Sequence, residues 1–411
     1  MTSGAARRPV PGILHLFHFV PPYAATVMEH AGAFSRYSGF PVFEVNTADG
    51  FPAGLRNLDF EVVLLHYSLF GSSNYFLDDR FLDFLNGTSA YKVAFFQDEY
   101  YFCRQRFAFL NRFDVDCVFT LLEPEHVATV YGTRTRVRRF ESTLPGLVSD
   151  TTLAHARRFA RPSAERRIDI GYRARHLPFY MGRGAQEKHE IGTLTLEHAA
   201  GSGLVLDIDT VESSRLYGDA WYRFLGDCRA VLGVEAGVSI FDLDDVVREG
   251  CTALLAAEPG LSFEEVSRRI LKPWEGNVPY RTISPRHFEA AAFGCCQILY
   301  EGRYSGILEP MHHYLPLRKD WSNFDEIIAL YRDEHVRAET VERAHAELIE
   351  SGRYGYRAFI ERFDSVLRAD GISPAARGPW ERDVSAKIKR GVPVRGAIRA
   401  LRRRVGRLVR R

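Results

Sequence analysis

Residues Ile283–Ser305 read ISPRHFEAAAFGCCQILYEGRYS. Ser284 is a good helix N-cap, and Pro285 suits the first helical turn, where a missing N–H breaks no intrahelical bond. Ala290, Ala291 and Ala292 leave a face that can lie close on a sheet, and Gly294 ends the helix. Cys296–Tyr300 then reads as a short apolar strand. A helix entered in this way presents free N–H groups, and Arg286 adds a cation at the same end. Together they suit a diphosphate. Glu289 lies one turn further on, on roughly the same helix face, where a carboxylate could accept both hydroxyl hydrogens of a ribose. On this pattern alone an ordinary capped helix of an α/β domain reads the same way.

On either side the chain alternates strand and helix patterns. Upstream, Arg167–Gly171, Leu204–Ile208 and Ala230–Val234 read as strands, and Arg183–Ile191 and Ser213–Leu225 as helices; a polar excursion fills Glu235–Arg281. Downstream, Asp325–Leu367 is mostly helical, with apolar residues at 3.6 spacing. The N-terminal part repeats the alternation. Its strands are expected at Ile13–Phe19, Val42–Val45, Val62–His66, Val93–Phe96, Cys117–Leu121 and Arg136–Phe140, and its helices at Ala24–Tyr37, Asp78–Leu85 and Glu125–Tyr131. Such alternation gives parallel sheets covered by helices, with ligands beyond the carboxyl ends of the strands. Proline, glycine, serine and charge over Ser142–Ser163 mark an interdomain connection. A chain of 411 residues is too long for one ordinary core. The expected fold is therefore α/β: two Rossmann-like doubly wound domains facing a cleft, residues 1–150 and 151–370, with a helical C-terminus and a basic tail over 385–411.

Arg286, Phe288, Glu289, Ala290, Ala292 and Gly294 form an Arg-x-Phe-Glu-Ala-x-Ala-x-Gly pattern. With Glu301-Gly302 and Gly306–Pro310 after it, the segment resembles the donor-site helix of the "group 1" GT-B glycosyltransferases, especially the CgeB-like branch. The similarity extends weakly over Arg167–Leu330, and over the first domain by architecture only. It implies sugar transfer from a nucleotide-sugar without a metal, with the donor in the second domain, the acceptor in the first and Glu289 on the ribose. Many relatives carry an earlier glutamate ahead of the ribose ligand; here Arg281 stands eight positions before Glu289. Glu301 and Glu309 have the spacing but follow the helix. Glu235, at a strand end in LGVEAGVSIFD, is a candidate for the missing carboxylate, although an exposed loop acid reads the same.

A second constellation is Ile168–Lys188, where Arg173 and Arg175 follow the strand ending at Gly171. Breaking a glycosidic bond to phosphate puts negative charge on the leaving group, and preorganised cations stabilise it. Transferases resembling this chain place basic residues here, so Arg173, Arg175 and Lys188 are donor-site candidates; a solvated basic loop is the alternative. In the first domain His66 ends the strand VVLLH, with Tyr67 and Ser68 after it. In similar transferases a histidine near this strand end touches the sugar. Asp98 and Glu99, beyond the strand VAFF, are candidates for a general base or acceptor clamp. His15 and His18 read as packing or loop residues.

Other chemistries lack their motifs. The first strand is followed by Val20-Pro21-Pro22-Tyr23 and not by Gly-x-Gly-x-x-Gly, against a dinucleotide-dependent dehydrogenase. No P-loop, zinc-ligand cluster or Gly-x-Ser-x-Gly elbow is present. Asp207-Ile208-Asp209 falls in the second half and reads as a strand-end loop. Six cysteines without a Cys-x-x-Cys pair suit reduced, buried thiols in a cytosolic protein.

The net charge of +2 hides an asymmetry. Lys387–Arg411 holds 11 basic residues and no acid, leaving 43 basic against 52 acidic residues elsewhere. Val394, Ile398, Leu401, Val405 and Leu408 would form one apolar stripe on a helix. That pattern suits an anionic membrane surface. The absence of aromatic residues for base stacking favours lipid over nucleic acid; a solvated tail is the remaining reading. The sequence thus points to a cytoplasmic glycosyltransferase, peripheral on the inner membrane face. It would move a sugar from a nucleotide-sugar donor to a glycan or lipid-linked acceptor in surface polysaccharide or glycoconjugate synthesis, with no further cofactor. A non-catalytic binding module and a nucleotide-sugar epimerase on the same fold stay open.

Overall fold

The computed structural model describes residues 7–20, 25–71 and 75–390, which form two compact units. The first unit contains the described residues through Thr120, Val127–Thr143 and the described residues from Phe359 onward; the second contains Leu121–His126 and Leu144–Ala358.

In the first unit β1 (Arg8–Phe17), α1 (Ala25–Tyr37), β2 (Val42–Asn46), β3 (Leu58–Leu65), α2 (Asp79–Asn86), β4 (Tyr91–Phe95), α3 (Cys103–Arg112), β5 (Cys117–Thr120), α4 (Pro124–Tyr131) and β6 (Arg139–Ser142) follow in order; α4 begins before Val127, on the second unit's side of the division. The strands make one parallel sheet ordered β2-β1-β3-β4-β5-β6. Ile13, Leu14, Leu16 and Val62–Leu65 are buried completely, which is why these runs are continuously apolar and do not alternate. The chain leaves β1 for β2 on one side and then returns to β3 on the other. The order therefore reverses between β1 and β3, and a crevice is expected beyond their carboxyl ends.

The second unit runs through α5 (Asp150–Phe159), β7 (Ile168–Arg173), α6 (Arg183–His198), β8 (Leu206–Asp209), α7 (Asp219–Asp227), β9 (Cys228–Gly233), β10 (Ala236–Val238), α8 (Val246–Ala257), the short α9 (Phe263–Val266), β11 (Tyr280–Thr282), α10 (Pro285–Ala292), β12 (Cys296–Tyr300), β13 (Leu315–Leu317), α11 (Phe324–Arg332) and α12 (Glu334–His345) into the start of α13 (Tyr356–Ala369). Its parallel sheet is ordered β13-β12-β9-β7-β8, with an antiparallel β10–β11 pair beside it. Here the reversal lies between β7 and β9. The stretch read as a connection, Ser142–Ser163, contains α5, capped by Ser149 and burying Thr152 and Ala156. The polar excursion Glu235–Arg281 holds β10, β11 and α8, whose Val247 and Cys251 join Ile240, Val266 and Leu271 in a small separate core.

The C-terminal helices differ from the sequence-based division. The described residues from Phe359 onward belong to the first unit, whereas the sequence-based division puts residues to 370 in the second. Phe359 and Phe363 pack their rings on Phe34 and Phe95, at centroid distances of 5.1–6.0 Å. The Asp364 carboxylate accepts from Ser38 Oγ at 2.8 Å and Gly39 N at 2.7 Å. A last helix, α14 (Trp380–Arg390), buries Val384 and Ile388. The start of the basic tail, 385–390, is thus part of a packed helix. Val394, Ile398, Leu401, Val405 and Leu408 lie outside the described residues.

Candidate functional site

A pocket opens at the carboxyl ends of β7 and β9, where the strand order of the second sheet reverses. Its lining includes Arg173, Arg175, Lys188, Ser284 and Arg286, five of the six residues assigned to a donor from sequence. They converge because the loop after β7, the face of α6 and the N-terminus of α10 all reach that one crevice. Ser284 caps α10, its Oγ accepting from Arg286 N at 3.4 Å, and Gly294 closes the segment with φ +61°. Strand-end glycines bring backbone to the floor: a Cβ on Gly171 would fall 2.3 Å from Cys228 Sγ and 2.8 Å from Phe224 Cζ.

The cations are held by defined partners. Arg173 donates to Asp207 Oδ1 at 2.7 Å and to Asp207 O at 2.8 Å, and its guanidinium stacks 4.4 Å from the Phe224 ring centroid. Arg286 donates to Arg173 O and lies 5.0 Å from the Trp221 ring centroid. The Asp207 carboxylate is thereby engaged with an arginine, and Asp209 accepts from Val211 N at 2.9 Å, as a strand-end loop should. His287 also lines the pocket; burial pushes its pKa down to about 4, so the ring is neutral near pH 7.

Glu289, the sixth candidate, is half-buried one turn into α10, and its Oε2 accepts the Trp221 indole N–H at 2.9 Å. Trp221 and Phe224 line the pocket, and sequence reasoning missed both. On α7 they sit three residues apart, a spacing that reads as core packing.

Glu235 does not line this pocket. Its Oε1 accepts from Arg303 N at 3.1 Å and Tyr304 N at 3.0 Å, and its Oε2 lies 3.5 Å from Arg281 Nε. Arg281 also pairs with Glu187, which holds Lys319 at 2.6 Å. Arg281 is therefore the centre of a charge network that engages both Glu235 oxygens away from the donor-site lining, and Glu235, 7% exposed, is not the exposed loop acid that the sequence left as the alternative.

In the first unit a second pocket, of about 250 Å³, opens where its own sheet order reverses. His18 follows β1, Tyr67 and Ser68 follow β3, and Gln97 and Asp98 follow β4; all line it. Asp98 is exposed and has φ +49°, a left-handed conformation that short polar side chains tolerate best. Glu99 points inward and accepts from Thr120 Oγ1 at 2.6 Å and from the Tyr131 hydroxyl.

His66 is fully buried, which corrects the expectation that its ring meets a sugar. Its Nδ1 accepts from Ser68 N at 3.1 Å, so the neutral ring carries its proton on Nε2 and donates to His30 Nδ1 at 2.9 Å. His15 is also fully buried, with neither ring nitrogen hydrogen-bonded to a described residue. Burial holds His15 and His30 at pKa values of about 3 and His66 well below its usual value. At this strand end Tyr67 and Ser68 line the pocket, and His66 does not.

Two groups of potential metal ligands occur among the described residues, at His312, His313 and Glu347 and at Glu123, Glu125 and His126. In the first, His313 Nδ1 accepts from Glu309 N at 3.0 Å, so its proton sits on Nε2 and is donated to Glu347 Oε2 at 3.1 Å. That nitrogen offers no lone pair to a metal.

No family model matches the chain, and no curated protein sequence does. Solved structures do. An alpha-glucosyltransferase in complex with UDP-glucose and DNA containing an abasic site is 10% identical over 87% of this chain and 99% of its own, with a TM-score of 0.50. Anabaena Alr3699/HepE in complex with UDP and glucose is 11% identical over 88% of this chain and 100% of its own, with a TM-score of 0.47. TarM is 10% identical over 74% of this chain, which spans only 54% of TarM's length, with a TM-score of 0.40. At such identities the likeness concerns the fold. Two Rossmann-like units, with parallel sheets of six and five strands, give this chain the GT-B fold.

Proposed function

We propose that the chain transfers a glycosyl group from a nucleoside-diphosphate sugar to a glycan or lipid-linked acceptor, in the manner of the group 1, CgeB-like transferases its α10 segment resembles. The observation that carries this reading is the convergence of Arg173, Arg175, Lys188, Ser284 and Arg286 on one pocket at the second sheet's reversal. The diphosphate would lie on the α10 N-terminus and Arg286, with the ribose toward Glu289. Arg173 and Lys188 would oppose the charge that develops on the leaving phosphate. A protein of the same fold binds UDP-glucose, a ligand of this class. The acceptor would occupy the first unit's pocket, where Asp98 is an exposed carboxylate on the lining and would serve as the base.

Nucleoside diphosphates should raise the melting temperature, by mass action on the native state. Arg286→Ala should weaken them by about 1.5–3 kcal/mol while leaving the bare nucleoside nearly unaffected, because the lost contact is charge-assisted. No stabilisation by any nucleoside diphosphate would end this reading. Slow donor hydrolysis without acceptor separates a transferase from a binding module.

We also propose that residues 391–411 bring the protein to anionic lipid. No described helix is long and apolar enough to cross a membrane. Because Val384 and Ile388 are packed, the chain should be shortened after Arg390. The full chain should co-sediment with phosphatidylserine vesicles at low salt and be released at high salt. Equal sedimentation of the shortened chain would refute the tail's role.

A further inference from the structure

A second cavity of about 530 Å³ lies at the opposite end of the second sheet, against the amino ends of β7, β9 and β12. Its floor is Arg166, 5% exposed, and its walls include Arg161, Arg229 and Arg337. Arg166 gives its N–H groups to carbonyls: Arg161 O at 2.8 Å, Cys228 O at 2.7 Å, Gly294 O at 2.9 Å and Phe293 O at 2.6 Å. These account for four of its five donors. Arg337 donates to Tyr331 O at 2.7 Å. Arg161 and Arg229 have carboxylate partners in Asp227 and Asp169. Arg166 and Arg337 form no ion pair with a described residue. A buried guanidinium without a counter-charge is costly unless an anion neutralises it.

The rim has the opposite sign. Glu334, Glu342 and Glu350 are exposed on the same cavity, and Glu350 lies 3.8 Å from His345 Nε2. The space above Gly294 joins floor to wall: a Cβ there would sit 3.6 Å from Arg166 Nη2 and 3.7 Å from Val341 Cγ1. A cationic floor beneath carboxylates matches a ligand with an anionic head and hydroxyls on its body.

We infer that this cavity binds a small phosphorylated polyol, its phosphate on Arg166 and Arg337 and its hydroxyls on the rim glutamates. The inference does not depend on sugar transfer. Arg166 also holds the carbonyl end of α10, whose other end carries Ser284 and Arg286. A ligand here therefore touches the helix that lines the first pocket without entering it.

The test is calorimetric titration of the full chain with inorganic phosphate and with glycerol phosphate. Wild type, Arg337→Ala, Arg337→Gln and Arg286→Ala are compared, each checked for a native melting transition. Glycerol phosphate should bind more tightly than phosphate. Both Arg337 variants should weaken it at least tenfold, and Arg286→Ala should leave it unchanged. Binding kept in both Arg337 variants overturns the inference, as does binding abolished only by Arg286→Ala, which would place the anion in the other pocket. Absence of binding at millimolar ligand also overturns it. Phosphate binding as tightly as glycerol phosphate removes the role given to the glutamates.

Discussion

Between pH 7 and pH 5 the first unit should lose about 2 kcal/mol of stability for each of His15 and His30, with His66 adding to the loss. The folded pKa values of about 3 lie below the unfolded value of 6.5, so below pH 6.5 the unfolded chain binds protons that the folded chain refuses. Stability is therefore full above that value and falls steadily as the pH drops toward 3. The cause is geometric. Behind the carboxyl ends of β1 and β3 three imidazoles share one apolar compartment, with His15 and His66 centroids 5.6 Å apart and His30 and His66 4.9 Å apart. A charge on one ring would face the other two, with Phe34 edge-on to His15 and His30. His15 isolates the effect because its nitrogens make no hydrogen bond to a described residue that substitution would break. His15→Phe should be neutral or stabilising at pH 7, and its advantage over wild type should grow by about 2 kcal/mol at pH 5. Urea unfolding of both chains at the two pH values measures the difference, in which the carboxylates common to both cancel. An advantage independent of pH would mean that His15 is not held neutral by its surroundings.

The fold was legible where a local signal and the tertiary structure demand the same residues. The largely apolar runs Ile13–Phe19 and Val62–His66 read as buried parallel strands because short runs of this kind, alternating with helix patterns, suit a sheet covered on both faces. Ser284, Pro285 and Gly294 marked both ends of α10 through backbone chemistry alone. Five donor-site candidates met in one pocket because strand-end loops and helix N-termini share one side of an α/β sheet. What stayed hidden depends on which partner a face meets. The 3.6 spacing of Tyr356–Ala369 announces an amphipathic helix but cannot say that Phe359 and Phe363 cover the first sheet. Trp221 and Phe224 look like core until the strand order places the start of α7 beside the crevice. Glu235 looked free because Arg281 and the Arg303 and Tyr304 amides, its partners, lie 46 to 69 residues away. His66 was placed on the correct strand end, yet a single residue of register separates an inward ring from the outward Tyr67 and Ser68.

Glu289→Ala should weaken nucleoside and nucleoside diphosphate alike, by about 2–3 kcal/mol, the scale of lost hydrogen bonds to a charged group. This differs from Arg286→Ala, which should spare the nucleoside, and the contrast separates a ribose ligand from a phosphate ligand on the same helix. Trp221 enters because its indole N–H occupies Oε2 of Glu289 at 2.9 Å while its ring lies 5.0 Å from the Arg286 guanidinium. One side chain thus orients the carboxylate and packs the cation. Trp221→Phe keeps an aromatic face for Arg286 but removes the N–H. It should cost about 1 kcal/mol, the usual worth of one hydrogen bond, because the carboxylate remains and only its orientation is released. Since the indole N–H acts on ribose only through Glu289, the double variant should bind as weakly as Glu289→Ala and no more weakly. A 2′- or 3′-deoxynucleoside diphosphate should lose affinity for wild type but not for Glu289→Ala. Fluorescence or calorimetric titration of the four chains yields the cycle. Additive losses would give Trp221 its own contact with the ligand, most simply with the base. Unchanged affinity in a folded Glu289→Ala chain would move the ribose away from α10, leaving only the cations of the pocket as donor ligands.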